Sequence, residues 1–165
     1  MKRPPLPLSL ALLAFAALAC AAGARAQGRA ADFRGDWNYA IYAKDASELP
    51  PAYRGMKPEE VPLFAIDLTV RQRGSRLSAT CGVVAHYLAR VDDCGFTATV
   101  RNGAAQFRLR SNFGGTAAVR LTVRGGRLRW QTLRRAGVSY FPEDVTLRRL
   151  KPGETPPYFE KDEAR

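Results

Sequence analysis

The fold is decided by residues 63–130, which read LFAIDLTVRQRGSRLSATCGVVAHYLARVDDCGFTATVRNGAAQFRLRSNFGGTAAVRLTVRGGRLRW. Six short runs of alternating apolar and polar residues follow one another in this stretch. In the first run, Phe64, Ile66 and Leu68 lie on one parity and Asp67 lies on the other. Successive side chains of a strand point to opposite faces of a sheet, so each run predicts a strand that buries one face.

The links between the runs indicate how the strands pair. Asn102-Gly103 favours a type I′ hairpin turn, because both central residues of that turn need a positive φ. Gly125-Gly126 is a second short link, and parallel strands would need long crossovers instead. The sequence therefore predicts an all-β domain, an antiparallel up-and-down meander of about eight strands that closes into a small barrel or half-barrel.

The first 26 residues have the pattern of a cleaved secretory signal peptide. Residues 2–3 are basic, residues 6–22 are apolar, and residues 24–26 form a small-x-small cleavage site. We expect a periplasmic or secreted protein with no transmembrane span in its mature part. Two alternatives are an uncleaved anchor and a lipoprotein held through Cys20.

The rest of the chain divides by composition. Residues 27–150 are expected to form a single antiparallel β domain, and residues 151–165 a proline- and charge-rich tail. Four prolines bar a central strand from residues 44–62, which are expected to form a long surface loop over one mouth of the barrel or a solvated insertion. In the tail, Tyr158-Phe159 is predicted to fold back over a barrel end.

Cleavage of the signal peptide leaves two cysteines, Cys81 and Cys94. An even count in an oxidising compartment predicts one disulfide, and both cysteines share the parity of apolar neighbours. Closing this short loop would contribute about 3 kcal/mol in the loop-entropy model. The alternative is a pair of buried free thiols. Two cysteines without a second pair of ligands do not indicate a metal site, and no cofactor is expected.

Arginine dominates the charge of the predicted sheet. Residues 63–150 contain fifteen arginines, no lysine and five acids, in a chain of net charge +11. Six arginines lie on the outward parity of three consecutive runs: Arg108, Arg110, Arg120, Arg124, Arg127 and Arg129. If these runs are neighbours, the six form a basic face suited to carboxylates or phosphates. The alternative is that they keep the sheet soluble and protect its edges, or follow an arginine-rich genome.

Gly35-Asp36-Trp37 opens the predicted first strand. A Gly-x-Trp at the start of an antiparallel meander resembles calycin-type barrels, the class of lipocalins, fatty-acid-binding proteins and avidins. The resemblance implies that Trp37 closes one barrel end, with a basic residue of the last strand, Arg149 or Arg148, packed over it. The Thr-Asp-Tyr signature of lipocalins is absent, so no ligand identity follows. The alternative is a core tryptophan of an unrelated small β fold.

No catalytic set is visible in this sequence. His86 is the only histidine, and no motif places a serine or cysteine nucleophile beside it. Asp92 and Asp93 are expected in a turn, because adjacent strand side chains point opposite ways and cannot form an acid–base pair. We therefore expect a protein that is not an enzyme.

Three functional interpretations follow. The first is an exported binding module that holds a small or lipidic ligand in its barrel or presents its loops to a protein. The second is an envelope-associated protein whose arginine face binds anionic lipid or polysaccharide, and this binding would weaken with salt. The third is an enzyme of unknown type. Nucleic acid is possible electrostatically, but export argues against it as the natural partner.

Overall fold

The computed structural model describes residues 31–87, 89–156 and 158. Within these residues, eight antiparallel strands follow one another in chain order and close into a barrel. The strands are β1 Gly35–Tyr42, β2 Pro62–Arg73, β3 Arg76–Ala85, β4 Arg90–Arg101, β5 Ala104–Arg110, β6 Thr116–Arg124, β7 Arg127–Ala136 and β8 Asp144–Arg149. The predicted all-β meander is confirmed, while the predicted signal peptide and Cys20 lie outside the described residues.

The cysteines are cross-strand partners. Cys81 of β3 lies opposite Cys94 of β4, their Cα atoms are 4.9 Å apart, and they form a disulfide. This confirms the pairing expected from parity. The next hairpin turns at Asn102 and Gly103, whose φ angles of 50° and 73° are those that a type I′ turn requires.

The inward parity of the strands forms one apolar core. A chain of aromatic side chains crosses it: Phe96 and Phe107 stack with ring centroids 3.6 Å apart, and Phe107 forms a T-shaped pair with Trp130, with ring centroids 6.0 Å apart. Trp130 lies 6.4 Å from Phe141, and both are almost fully buried. Each large side chain buried in this way contributes about 1.5–3 kcal/mol. These rings occupy the middle of the barrel.

The barrel consists of two four-stranded halves, β1–β4 and β5–β8, joined along two short seams. Within each half, neighbouring strands pair over most of their length, but each seam has two residue pairs. The seam pairs are Val100 with Ala105, Arg101 with Ala104, Trp37 with Arg149, and Asn38 with Arg148. All four pairs lie at the same end of the barrel, which is the end where β1 begins and β8 ends. We call this the closed end and the opposite one the open end.

Trp37 fills the closed end. It is fully buried, and its indole N–H donates to the Phe33 carbonyl at 2.9 Å. The guanidinium carbon of Arg149 lies 4.5 Å from the ring centroid, a cation–π geometry. Arg149 also donates to the carbonyl of Asp32 at 3.1 Å. Arg148, the other basic candidate, lies on the outer wall.

Asp92 ties the open end together. It is fully buried on the inward face of β4 and accepts hydrogen bonds from the Ser111 hydroxyl at 2.6 Å, the Asn112 amide at 2.8 Å and the Tyr140 amide at 3.3 Å. The expected turn position of Asp92 and Asp93 is therefore wrong, because both lie within β4. The Asp92 carboxylate accepts from the loop that follows β5, in the part of the seam where β4 and β5 have no paired backbone.

The loop between β1 and β2 has a small apolar cluster of its own. Leu49 and Val61 are buried there, and Tyr53, Met56 and Tyr87 pack against them. The Tyr87 hydroxyl donates to the Glu48 carbonyl at 3.2 Å, which ties this loop to the β3–β4 turn. The cluster explains how a proline-rich stretch is held against the barrel without a strand.

Candidate functional site

The six arginines expected on one face are all exposed on the outer wall of β5–β7. The strand register shows that they share one surface. Arg120 lies opposite Gln131, and Arg129 lies opposite Thr122. Arg108 lies opposite Ala118, which in turn lies opposite Arg134 of β7. The outer wall of this half of the barrel is therefore basic, and Arg134 extends the predicted set.

Three arginines stand in a single line across this wall. Arg124 of β6 is the cross-strand partner of Arg127 of β7, which is the partner of Arg148 of β8. We call these three the arginine row. Like charges directly opposite one another destabilise a sheet, so an anion bound along the row would relieve repulsion. Within the described residues, Arg148 is the one member with a carboxylate partner, Glu154 at 2.6 Å.

A groove of about 570 Å³ lies beside the arginine row. It is lined by Arg120, Arg124, Arg127 and Arg129, with Asn102, Gly103, Thr122, Val123, Gln131 and Thr146 between them. Arg129 is already paired with a carboxylate, because its guanidinium donates two hydrogen bonds to Asp144. This pairing holds the pKa of Asp144 below its usual value. The other three guanidiniums have no carboxylate partner among the described residues.

A second basic depression lies further along the same wall. It has a volume of about 330 Å³, and Arg108 and Arg134 flank the small side chain of Ala118 there. Ala118 lies six residues from Arg124 along β6, a separation of about 20 Å at roughly 3.3 Å per residue. The two depressions therefore mark a basic surface that is elongated along the strands.

A third pocket, of about 330 Å³, lies at the seam between β1 and β8. We call it the seam pocket, and it is lined by Asn38, Tyr39, Ala40, Tyr42, Arg127, Thr146 and Arg148. Tyr39 belongs to the inward parity of β1, whereas its neighbours belong to the outer wall. Arg127 and Thr146 also line the groove, so the two depressions adjoin.

The described part of the C-terminal tail lies against this region. Tyr158 donates its hydroxyl proton to Asp67 at 2.6 Å and accepts from the Asn38 amide at 2.8 Å. Its ring lies 6.5 Å from that of Tyr42. The expectation that Tyr158 covers a barrel end is wrong, and Phe159 lies outside the described residues. Tyr158 binds the outer wall because Asn38 and Asp67, cross-strand partners on β1 and β2, offer a donor and an acceptor there.

Alkaline pH is expected to weaken the Tyr158 anchor. Burial, with the nearby Asp67 carboxylate, raises the pKa of Tyr158, whereas an unfolded tyrosine ionises near pH 10. The contribution of Tyr158 to the free energy of unfolding is thus fully present below about pH 10. It is lost as pH rises further, because the unfolded chain then releases a proton that the folded chain keeps. Urea unfolding of wild type and Tyr158→Phe should differ by about 1–2 kcal/mol at pH 8 and converge above pH 10. Parallel curves over this range would contradict the assignment.

Aromatic side chains meet at the open end. His86 is exposed in the β3–β4 turn and forms a T-shaped pair with the Tyr140 ring, with ring centroids 5.6 Å apart. Phe113 meets the same ring at 4.8 Å. His86 and Tyr87 both have positive φ, 53° and 56°, a strained conformation for residues other than glycine. Within residues 31–87, 89–156 and 158, no three His, Cys, Asp or Glu residues are grouped to hold a metal ion.

Sequence reasoning missed three members of the seam pocket region. It considered Arg148 only as a partner for Trp37, although its outward parity next to Leu147 was a usable signal. Tyr42 and Glu154 carry no pattern that marks them, because their positions depend on the β1–β8 seam and on the return of the tail.

In the described part of the chain, no helix combines the length and apolarity needed to cross a bilayer.

Comparison with known proteins finds no family model, curated protein or solved structure that matches this chain. The likeness to calycin-type barrels therefore stays a prediction.

Proposed function

We propose that this protein is an exported, non-enzymatic binding protein whose arginine face binds an acidic polysaccharide of the cell envelope. The arginine row carries the proposal. Its three guanidiniums repel one another across β6, β7 and β8, and one of them has a carboxylate partner. The Cys81–Cys94 disulfide supports export, since such bonds persist in oxidising compartments.

The shape of the basic surface favours a chain over a single small anion. Together, the groove and the second depression extend about 20 Å along β6, from Arg124 to Ala118, a span that several sugar carboxylates can follow. Arginine suits such groups because its planar fork makes two parallel hydrogen bonds to one carboxylate. The convex barrel wall would meet a flat bilayer along a narrow strip only, so anionic lipid is the weaker alternative.

The test is binding of polygalacturonate to Arg124→Gln/Arg127→Gln. Loss of two charge-assisted contacts is expected to weaken binding roughly 10- to 100-fold, and the wild-type affinity should fall as salt rises. Arg73→Gln/Arg76→Gln is the matched control, because these exposed arginines are cross-strand partners at a hairpin end in the other half of the barrel. Equal losses of affinity in both variants would show that binding depends on the net charge of the protein and not on the arginine row. Binding to phosphatidylglycerol vesicles but not to polygalacturonate would make lipid the partner.

A second candidate function is a small or lipidic ligand held at the open end. Tyr39, Phe64 and Val145 belong to the inward parity but are only partly buried, and Ile41 is 42% exposed. The β1–β8 seam has no paired residues beside them. Native mass spectrometry of protein purified from its own periplasm should then show a bound small molecule that survives raised salt.

A further inference from the structure

The seam pocket combines the groups that recognise an acidic sugar. Arg127 and Arg148 are cross-strand partners on the outer wall, so their guanidiniums can converge on one carboxylate. Tyr42 supplies a flat apolar surface of the kind that packs against the face of a sugar ring, and Thr146 and Asn38 supply hydroxyl and amide groups. The volume of about 330 Å³ lies within the range of small-ligand sites.

An anion of the protein itself already reaches this pocket. The Glu154 carboxylate lies 2.6 Å from the Arg148 guanidinium. The segment that carries it is fastened on both sides: the Leu150 amide donates to the Asp36 carbonyl at 2.8 Å, and Tyr158 is bonded to Asn38 and Asp67. We call residues 150–156 and Tyr158 the strap. It runs from the end of β8 past the seam pocket to the outer wall of β1 and β2.

We propose that the seam pocket is the subsite for one acidic sugar of the bound chain, and that Glu154 of the strap holds its anion position in the free protein. This inference rests on the proposed function. A ligand carboxylate on Arg127 and Arg148 would face the Glu154 carboxylate at close range, and like charges there repel. Ligand binding therefore competes with the Arg148–Glu154 ion pair, and the strap lowers the affinity of the seam pocket for its ligand.

The competition is modest in size, because the pair is exposed. Side-chain exposures are 45% for Arg148 and 31% for Glu154, and pairs of this kind contribute little to stability. Glu154→Gln should therefore tighten binding of trigalacturonate roughly two- to fivefold. Tyr42→Leu should weaken it several-fold, because a flat ring is lost from the pocket while an apolar side chain stays.

The control is Asp93→Asn, which removes the same charge from an exposed carboxylate on β4, four strands from β8. Calorimetry should show little change in trigalacturonate affinity for this variant. Hydrogen exchange should rise in residues 150–156 when wild type binds trigalacturonate, since the strap is displaced. Equal tightening by Asp93→Asn and Glu154→Gln, or unchanged exchange in the strap, would overturn the competition.

The two proposals fail differently. If polygalacturonate binds and depends on Arg124 and Arg127, but Glu154→Gln and Tyr42→Leu change nothing, the seam pocket assignment is wrong and the proposed function stands. If neither polygalacturonate nor trigalacturonate binds, the proposed function is overturned and this inference with it.

Discussion

Replacement of Asp92 by alanine is expected to lower the free energy of unfolding by about 3–5 kcal/mol. The carboxylate is fully buried and accepts from the Ser111 hydroxyl and from the amides of Asn112 and Tyr140. Removing it leaves these donors buried without an acceptor, and each costs about 1–3 kcal/mol. The loss should concentrate at the open end, where the β4–β5 seam has no backbone pairing.

Two variants make the test of Asp92 specific. Asp92→Asn keeps the shape but presents one acceptor oxygen and one donor amide to three donors, so its loss should be intermediate. Asp93→Ala, on the exposed face of the same strand, should stay within about 0.5 kcal/mol of wild type. Chemical denaturation gives the energies, and hydrogen exchange should rise first in residues 111–115. Similar losses in Asp92→Ala and Asp93→Ala would refute the role of the inward carboxylate.

The second large effect is expected at the closed end, where Trp37→Ala should cost about 3–5 kcal/mol. The side chain is fully buried, its indole N–H bonds the Phe33 carbonyl, and Arg149 covers its face. Alanine would leave a cavity at the end of the barrel where both seams are paired. Loss of this packing removes support from the residue pairs that join the two halves.

Trp37→Phe is the matched variant, because it keeps an aromatic ring but loses the N–H donor and part of the volume. Its loss should fall clearly below that of the alanine variant. Trp130 is then the one tryptophan left in the chain, so its fluorescence reports unfolding of the core directly. A loss below about 1 kcal/mol for Trp37→Ala would show that the closed end does not depend on this side chain.

The alternation of residues 63–130 was enough to predict most of the fold. Phe64, Ile66 and Leu68 face inward because strand side chains alternate strictly, and Asn102-Gly103 turns the chain because its backbone angles favour that hairpin. The same rule paired Cys81 with Cys94. It also gave the outward parity of the six arginines, since parity is a property of each strand alone.

Parity could not predict which outward residues become neighbours across strands. The arginine row needs Arg124, Arg127 and Arg148 in register on three strands, and register depends on how the turns and the core pack together. The same holds for Asp92, whose neighbours in sequence suggested a turn. Asp92 has this role because β4 and β5 are not paired at the open end, and no local sequence pattern indicates where two strands stop pairing.

By itself, the sequence determined the class of fold, the strand order, the disulfide and the outward direction of the arginines. These follow from alternation, short links and cysteine parity, which act between residues that are near in the chain or on adjacent hairpin strands. The tertiary structure alone decided the two short seams, the inward Asp92 and the contact of Glu154 and Tyr158 with the outer wall. The physical reason is that barrel closure and the return of the tail bring together residues far apart in the chain, where packing and hydrogen bonding select the partners.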